Sequence, residues 1–315
     1  MNIEMIRAAA KRLEGHARLT PLLNAPLLDR IAGRRVLVKA ECLQWTGSFK
    51  YRGGWAAVSA LRDAKGVIAF SSGNHAQGVA LAAAQHGLPA VIVMPADAPS
   101  VKIENTRAYG AEVVLYDRET EDRDAIGAAL AAERGLVLVK PYDEPEVIAG
   151  QGSVGLEIVA QFEAGFGGEA EVLTCCGGGG LTSGIALACE GRFRVRTVEP
   201  AGFDDVARSL AAGARLRNTT LAGSLCDAIV TPMPGEITFP IMQRLCGPGL
   251  VVSDDEALRA MVLAFQHLRI VLEPGGAVAL AAALFHDGLP DTVIAVASGG
   301  NVDPAVFQGA MERFG

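Results

Sequence analysis

Residues 67–94 open with Val67-Ile68-Ala69-Phe70, pass through Ser71-Ser72-Gly73-Asn74-His75-Ala76 and end with Ala90-Val91-Ile92-Val93-Met94. The outer runs are short and rich in β-branched residues. Between them, the alanine-rich stretch Gln77–His86 has the length and composition of a helix. The order strand, polar turn, helix, strand predicts a βαβ unit with parallel strands covered on both faces.

The same rhythm extends outward in both directions. Strands are expected at Val36–Lys39, Glu112–Tyr116, Leu136–Val139, Glu171–Cys175, Arg194–Val198, Leu250–Val252 and Thr292–Ala297. Helices are expected at Tyr51–Leu61, Ser100–Tyr109, Arg123–Glu133, Val154–Phe162 and Thr182–Cys189. The fold class is therefore α/β, with parallel-rich twisted sheets flanked by helices. One sheet of so many strands would be unusual, which divides the chain into two α/β domains. The expected division is a large domain of residues 1–65 and 143–315 and a small, mobile one of residues 66–142.

Composition narrows the function classes. The 315 residues carry a net charge of −7, which disfavours nucleic acid as a partner. The apolar run 275–285 is too short to span a bilayer, and the run 79–94 is interrupted by Gln85, His86 and a Gly-x-Pro; both read as buried elements, with no membrane partner. The start, Met1 to Arg7, lacks the apolar core of a signal peptide. Six cysteines at 42, 175, 176, 189, 226 and 246 show neither Cys-x-x-Cys nor zinc spacing. A reduced, cytoplasmic protein is expected.

Several turns carry chemistry. Lys50, in Thr46-Gly47-Ser48-Phe49-Lys50, lies at a helix start with no neighbouring carboxylate in sequence. Such a lysine can lose its proton and attack a carbonyl. Gly177-Gly178-Gly179-Gly180-Leu181 follows a strand and opens a helix, a backbone cradle suited to phosphate. A competing reading takes Gly178-x-Gly180-x-x-Ser183, with Glu199 downstream, as an approximate dinucleotide fingerprint and implies a nicotinamide-dependent oxidoreductase. The Ser71–Gly78 turn suits a substrate carboxylate; alternatively, Ser72 or Asn74 simply caps the next helix. Ser298-Gly299-Gly300-Asn301 ends the last strand and offers a hydroxyl to a heteroaromatic nitrogen.

As an ordered set spanning about Ala17 to Asp303, these motifs resemble the fold-type II pyridoxal-phosphate enzymes. The similarity is to the threonine/serine dehydratase and serine racemase branch, and it includes Glu146–Gly152, Val198-Glu199-Pro200 and Glu273-Pro274. The resemblance implies that Lys50 binds the cofactor aldehyde covalently, with Phe49 backing the ring. It implies that Gly177, Gly178, Gly179, Gly180 and Leu181 hold the phosphate, Asn74 meets the ring hydroxyl and Ser298 meets the pyridine nitrogen. A neutral serine there suits elimination better than transamination. After the substrate amine displaces it, Lys50 would take the Cα proton, and loss of the β-hydroxyl would lead to a 2-oxo acid and ammonia.

The resemblance also implies finer roles. Ser71, Ser72, Asn74 and His75 would line the substrate site, and Ser72 would stand on the cofactor face opposite Lys50, as racemases require. Glu199, Phe203 and Asp205 keep the spacing of a Mg²⁺ or Ca²⁺ site; the plain alternative is solvated loop acids. Arg123 matches an arginine that grips a second substrate carboxylate, or else is a solvated helix residue. Ala222-Gly223-Ser224 replaces the usual Ala-Asp-Gly beside the substrate, and Gly275 replaces a common serine. No added regulatory domain is visible, so feedback allostery is not expected. The leading expectation is a homodimeric dehydratase of a small L-hydroxyamino acid such as threonine or serine. A serine racemase or a 3-hydroxyaspartate dehydratase is the alternative on the same fold.

Overall fold

Along the chain, β-branched runs form strands and alanine-rich runs form helices, as described by a computed structural model at residues 1–98, 100–220 and 222–315. The first third holds α1 (Ile3–Leu13), β1 (Leu22–Asn24), α2 (Pro26–Ala32), β2 (Arg35–Lys39), α3 (Lys50–Ala60), β3 (Val67–Phe70), α4 (Asn74–Gln85) and β4 (Ala90–Pro95). The middle holds α5 (Ser100–Ala108), β5 (Glu112–Tyr116), α6 (Arg123–Arg134), β6 (Val137–Leu138), α7 (Pro145–Gly165), β7 (Glu171–Cys175), α8 (Gly180–Ala188) and β8 (Arg194–Pro200). The remainder holds α9 (Asp205–Ala212), α10 (Thr238–Leu245), β9 (Leu250–Val252), α11 (Asp254–Leu268), α12 (Pro274–Phe285), β10 (Thr292–Val296) and α13 (Pro304–Phe314).

The strands sort into two sheets. One is six-stranded in the order β1-β2-β10-β7-β8-β9, and the other four-stranded in the order β5-β4-β3-β6. Among the described residues, only the β1–β2 strand pairing is antiparallel. Parallel strands must be buried on both faces, and α12 shows how: Ala277 to Ala283 are all inaccessible to solvent. Among the described residues, no helix is long and apolar enough to cross a membrane.

Four helices start earlier than the sequence suggests, α3 and α8 by one or two residues and two others by more. α7 begins at Pro145 rather than Val154, because Gly150, Gly152 and Gly155 obscure its first turns in sequence. Those glycines serve packing: a Cβ on Gly150 would collide with the Arg52 carbonyl oxygen, so α3 and α7 touch backbone to backbone. α4 begins at Asn74 rather than Gln77, with Gly73 as its N-cap and no side-chain cap bond. Neither Ser72 nor Asn74 is therefore consumed as the cap.

Beneath the start of α3 lies a buried ionic cluster. Arg52 pairs with Glu41 at 2.8 Å and with Glu157 at 2.6 Å, and Lys39 reaches Glu157 at 2.5 Å. Arg52 and Glu41 are completely or almost completely hidden from solvent. A buried charge tolerates that position only when every donor is matched, and here the guanidinium also donates to Ser153 and to the Arg18 carbonyl. The cluster ties β2, α3 and α7 together two residues beyond Lys50.

Candidate active site

Lys50 is the first residue of α3, and its segment is zipped to the turn after β10. Ser48 bridges Gly299, Phe49 N donates to Ser298 O at 3.1 Å, and Gly300 N donates to Gly47 O at 2.9 Å. Gly47 has φ +73°, and a Cβ there would lie 2.5 Å from Asn301 Oδ1, so only glycine permits this approach. Two motifs about 250 residues apart are thus held together by backbone bonds.

The Lys50 residue keeps some exposure, while its ammonium is enclosed: Nζ lies 5.2 Å from the centre of the Phe49 ring and donates to the Pro141 carbonyl at 2.6 Å. Burial lowers its pKa to about 8, against a smaller opposing effect of Cys175. Among the described residues no carboxylate bonds the nitrogen, so about a tenth is free amine at pH 7, far more than for an ordinary lysine.

A relay of amides and a carboxyl crosses the same space. Asn301 Nδ2 donates to Asn74 Oδ1 at 2.7 Å, and Asn74 Nδ2 donates to Glu273 Oε1 at 2.5 Å. Burial raises the Glu273 carboxyl to about 7, with Asn74 and then Lys102 opposing. Beside it, the Cys175 thiol at the end of β7 donates to Ser298 Oγ at 2.9 Å. The Ser298 oxygen accepts that bond, which leaves its own hydrogen available to an acceptor in the cleft.

The glycine run occupies the β7–α8 turn. The first amides of α8 have no intrahelical acceptors and face an anion-favouring dipole end. Gly179 has φ +92°, and a Cβ on Gly178 would collide with the Tyr142 ring, so Tyr142 packs directly on the loop. Thr238 Oγ1 fixes the turn by donating to Gly178 O at 2.6 Å, while Leu181 anchors it in the core.

The turn after β3 approaches from the other sheet. Ser71 accepts from Gly73 N at 3.2 Å, and Ser72 lies partly exposed beside it. His75 is buried, and its Nε2 meets the Val139 carbonyl at 2.8 Å. Burial, reinforced by the Lys50 charge, lowers its pKa to about 3; it is a neutral packed ring beside Lys50. Arg123 lies at the start of α6 with its guanidinium 5.6 Å from the centre of the Phe70 ring, paired to Asp124 at 3.0 Å and half exposed.

The other sequence candidates lie in different surroundings. Ser224 makes local bonds, accepting from Cys226 N at 3.0 Å and reaching Asp254 at 3.5 Å. Glu199 is buried at the end of β8, where its two oxygens accept from Val206 N and Ala207 N at 2.8 and 2.7 Å. Burial raises Glu199 well above the usual range and Asp205 to about 6, and one buried Asp205 oxygen has no hydrogen-bond partner among the described residues. Phe203 is buried in the connecting turn. Among the described residues, no group of three or more His, Cys, Asp or Glu side chains is arranged as a metal site.

Comparison with known proteins identifies the frame. The family described as "pyridoxal-phosphate dependent enzyme" matches residues 13–299. The chain belongs to this family. It is 43% identical over 304 residues to an L-threo-3-hydroxyaspartate ammonia-lyase of Pseudomonas sp., covering 94% of this chain and 93% of that one. It is 35% identical over 322 residues to a serine racemase of Oryza sativa subsp. indica, covering 97% and 92%. Among solved structures, a T.th. threonine deaminase superposes with a TM-score of 0.92 at 44% identity, covering 96% of this chain and 99% of that one. The dinucleotide reading of the glycine run gives way to this assignment.

The residues fit the cofactor that the family name implies. A lysine amine of lowered proton affinity, the Ser298 hydroxyl, the Asn74 amide and a glycine-rich helix start are the donor set for an aldehyde, a ring and a phosphate. Glu273, Asn301, Cys175, Tyr142 and Lys102 join this set without having been singled out as site residues in the sequence. Glu273 and Asn301 sit inside marked motifs; the others carry no local signal.

Proposed function

We propose that this pyridoxal-phosphate-dependent ammonia-lyase acts preferentially on 3-hydroxyaspartate, giving the four-carbon 2-oxo dicarboxylic acid and ammonia. The observation that carries the choice is Arg123, stacked on Phe70 immediately before the Ser71-Ser72 turn. There it can swing from the exposed Asp124 to a second substrate carboxylate, and exposed pairs of that kind are weak. The Pseudomonas relative's name supports the same substrate.

When bound, pyridoxal phosphate would supply a covalent handle for the substrate amine and an electron sink. Lys50 holds the cofactor and then, as a free amine of lowered proton affinity, takes the Cα proton. Gly177–Leu181 would hold the phosphate, Ser298 would donate to the ring nitrogen, and Asn74, held from both sides, would meet the ring hydroxyl. Ser71 and Ser72 with the start of α4 receive the α-carboxylate. His75 supports this wall by packing. Residues 66–142 act as a small mobile domain whose closure excludes water, against a large domain of residues 1–65 and 143–315. Asp205, through its unpartnered oxygen, with Glu199 and the Phe203 carbonyl, would hold Mg²⁺ or Ca²⁺, and a homodimer is the working assembly.

A threonine or serine dehydratase is the second reading, favoured by the 44% identity to threonine deaminase. The discriminating experiment compares kcat/KM of the holoenzyme for L-threo-3-hydroxyaspartate, L-threonine and L-serine. The proposal expects hydroxyaspartate to lead by about tenfold or more, and Arg123→Gln to remove most of that lead. Threonine or serine in first place refutes it.

A further inference from the structure

Lys102, on α5, is the least explained charge near the cleft. Its side chain is only 12% exposed, yet its one salt bridge among the described residues is a 3.5 Å contact to Asp227, whose own side chain is 66% exposed. That distance is long for a hydrogen bond, so the ammonium at the end of a largely covered side chain has weakly used donors. A second observation places it at the substrate turn. Among the described residues other than its chain neighbours, a Cβ on Gly73 would meet a single atom within 4 Å, the Lys102 Nζ at 3.9 Å. The charge is also felt at Glu273, across the cleft from α5.

Gly73 lies between Ser71-Ser72 and Asn74, and Arg123 flanks the same turn at Phe70. Open space beside the turn proposed to take the α-carboxylate, bordered by an underused ammonium, suits a second anionic group on the same ligand. We propose that Lys102 is a specificity-determining residue that shares with Arg123 the binding of the distal carboxylate of a dicarboxylic amino acid, displacing Asp227. This deepens the hydroxyaspartate reading and rests on it for the identity of the substrate. The exchange is favourable because a weak contact to a solvated carboxylate gives way to a charge-assisted bond inside the cleft.

The test uses succinate and propionate, which differ by one carboxylate and lack the amine needed to react. Their dissociation constants for the holoenzyme are measured by calorimetry in wild type, Lys102→Gln, Lys102→Arg and Asp227→Asn. The expected results are a succinate preference of at least about tenfold in wild type, its reduction by roughly tenfold in Lys102→Gln, and its retention in Lys102→Arg. Asp227→Asn, which removes the competing anion, tightens succinate a few-fold. No preference in wild type, an unchanged ratio in Lys102→Gln, or equal weakening of both ligands overturns the proposal. A Lys102-dependent succinate preference in an enzyme that fails to deaminate hydroxyaspartate would instead refute the substrate reading while sustaining the subsite.

Discussion

Replacing Glu273 with glutamine should stabilise the cofactor-free protein above neutral pH. The carboxyl is buried at the start of α12 and rises from an ordinary 4.5 to about 7, chiefly through burial. Between those values the folded state holds a proton that the unfolded state has released, so this group's contribution to stability falls as pH rises. A rise from 4.5 to about 7 corresponds to roughly 3 kcal/mol, lost progressively across that interval and fully lost above it. Glutamine keeps an oxygen for the Asn74 amide but does not titrate. Urea unfolding of wild type and Glu273→Gln from about pH 4 to 8 should therefore give curves that converge in acid. They should separate toward alkaline pH by up to about 3 kcal/mol, with the variant more stable. Parallel curves across the range would show that Glu273 ionises normally and would refute this account of its environment.

Breaking the ionic cluster under α3 should be costly. Arg52→Met leaves Glu41 buried without its partner, and a loss of about 3–5 kcal/mol is expected in the same unfolding assay. Gly178→Ala drives a methyl group into the Tyr142 ring; overpacking should cost about 1–3 kcal/mol and weaken cofactor binding, read by equilibrium dialysis. Mg²⁺ or Ca²⁺ should raise the Tm of wild type, a stabilisation of about 2.7 kcal/mol at a hundredfold excess over Kd, and leave Asp205→Asn unmoved.

What the sequence discloses divides along physical lines. β3, β5, β7 and β9 fall on the expected residues because short β-branched runs are bounded by turn chemistry. The α7 start is hidden because its glycines are selected by contact with α3 and α8, which propensity does not register. At the site, Lys50, Asn74, Ser298 and the glycine run stand out because each lies at a strand end or helix start with distinctive chemistry. The Asn74–Glu273 bond spans 199 positions, and neither residue's local sequence encodes the other. Lys102 and Tyr142 are equally silent: one looks like a solvated helix lysine and the other like a loop aromatic. Their meaning comes from what faces them.

The central claim is that Lys50 anchors pyridoxal phosphate through its amine. The most direct measurement reconstitutes the protein with the cofactor, reduces it with borohydride and maps the added mass by peptide mass spectrometry. The account predicts a single stoichiometric label on Lys50, loss of the imine absorbance on reduction, and neither signal in Lys50→Ala. A label on another lysine, or no label on cofactor-saturated protein, would contradict it.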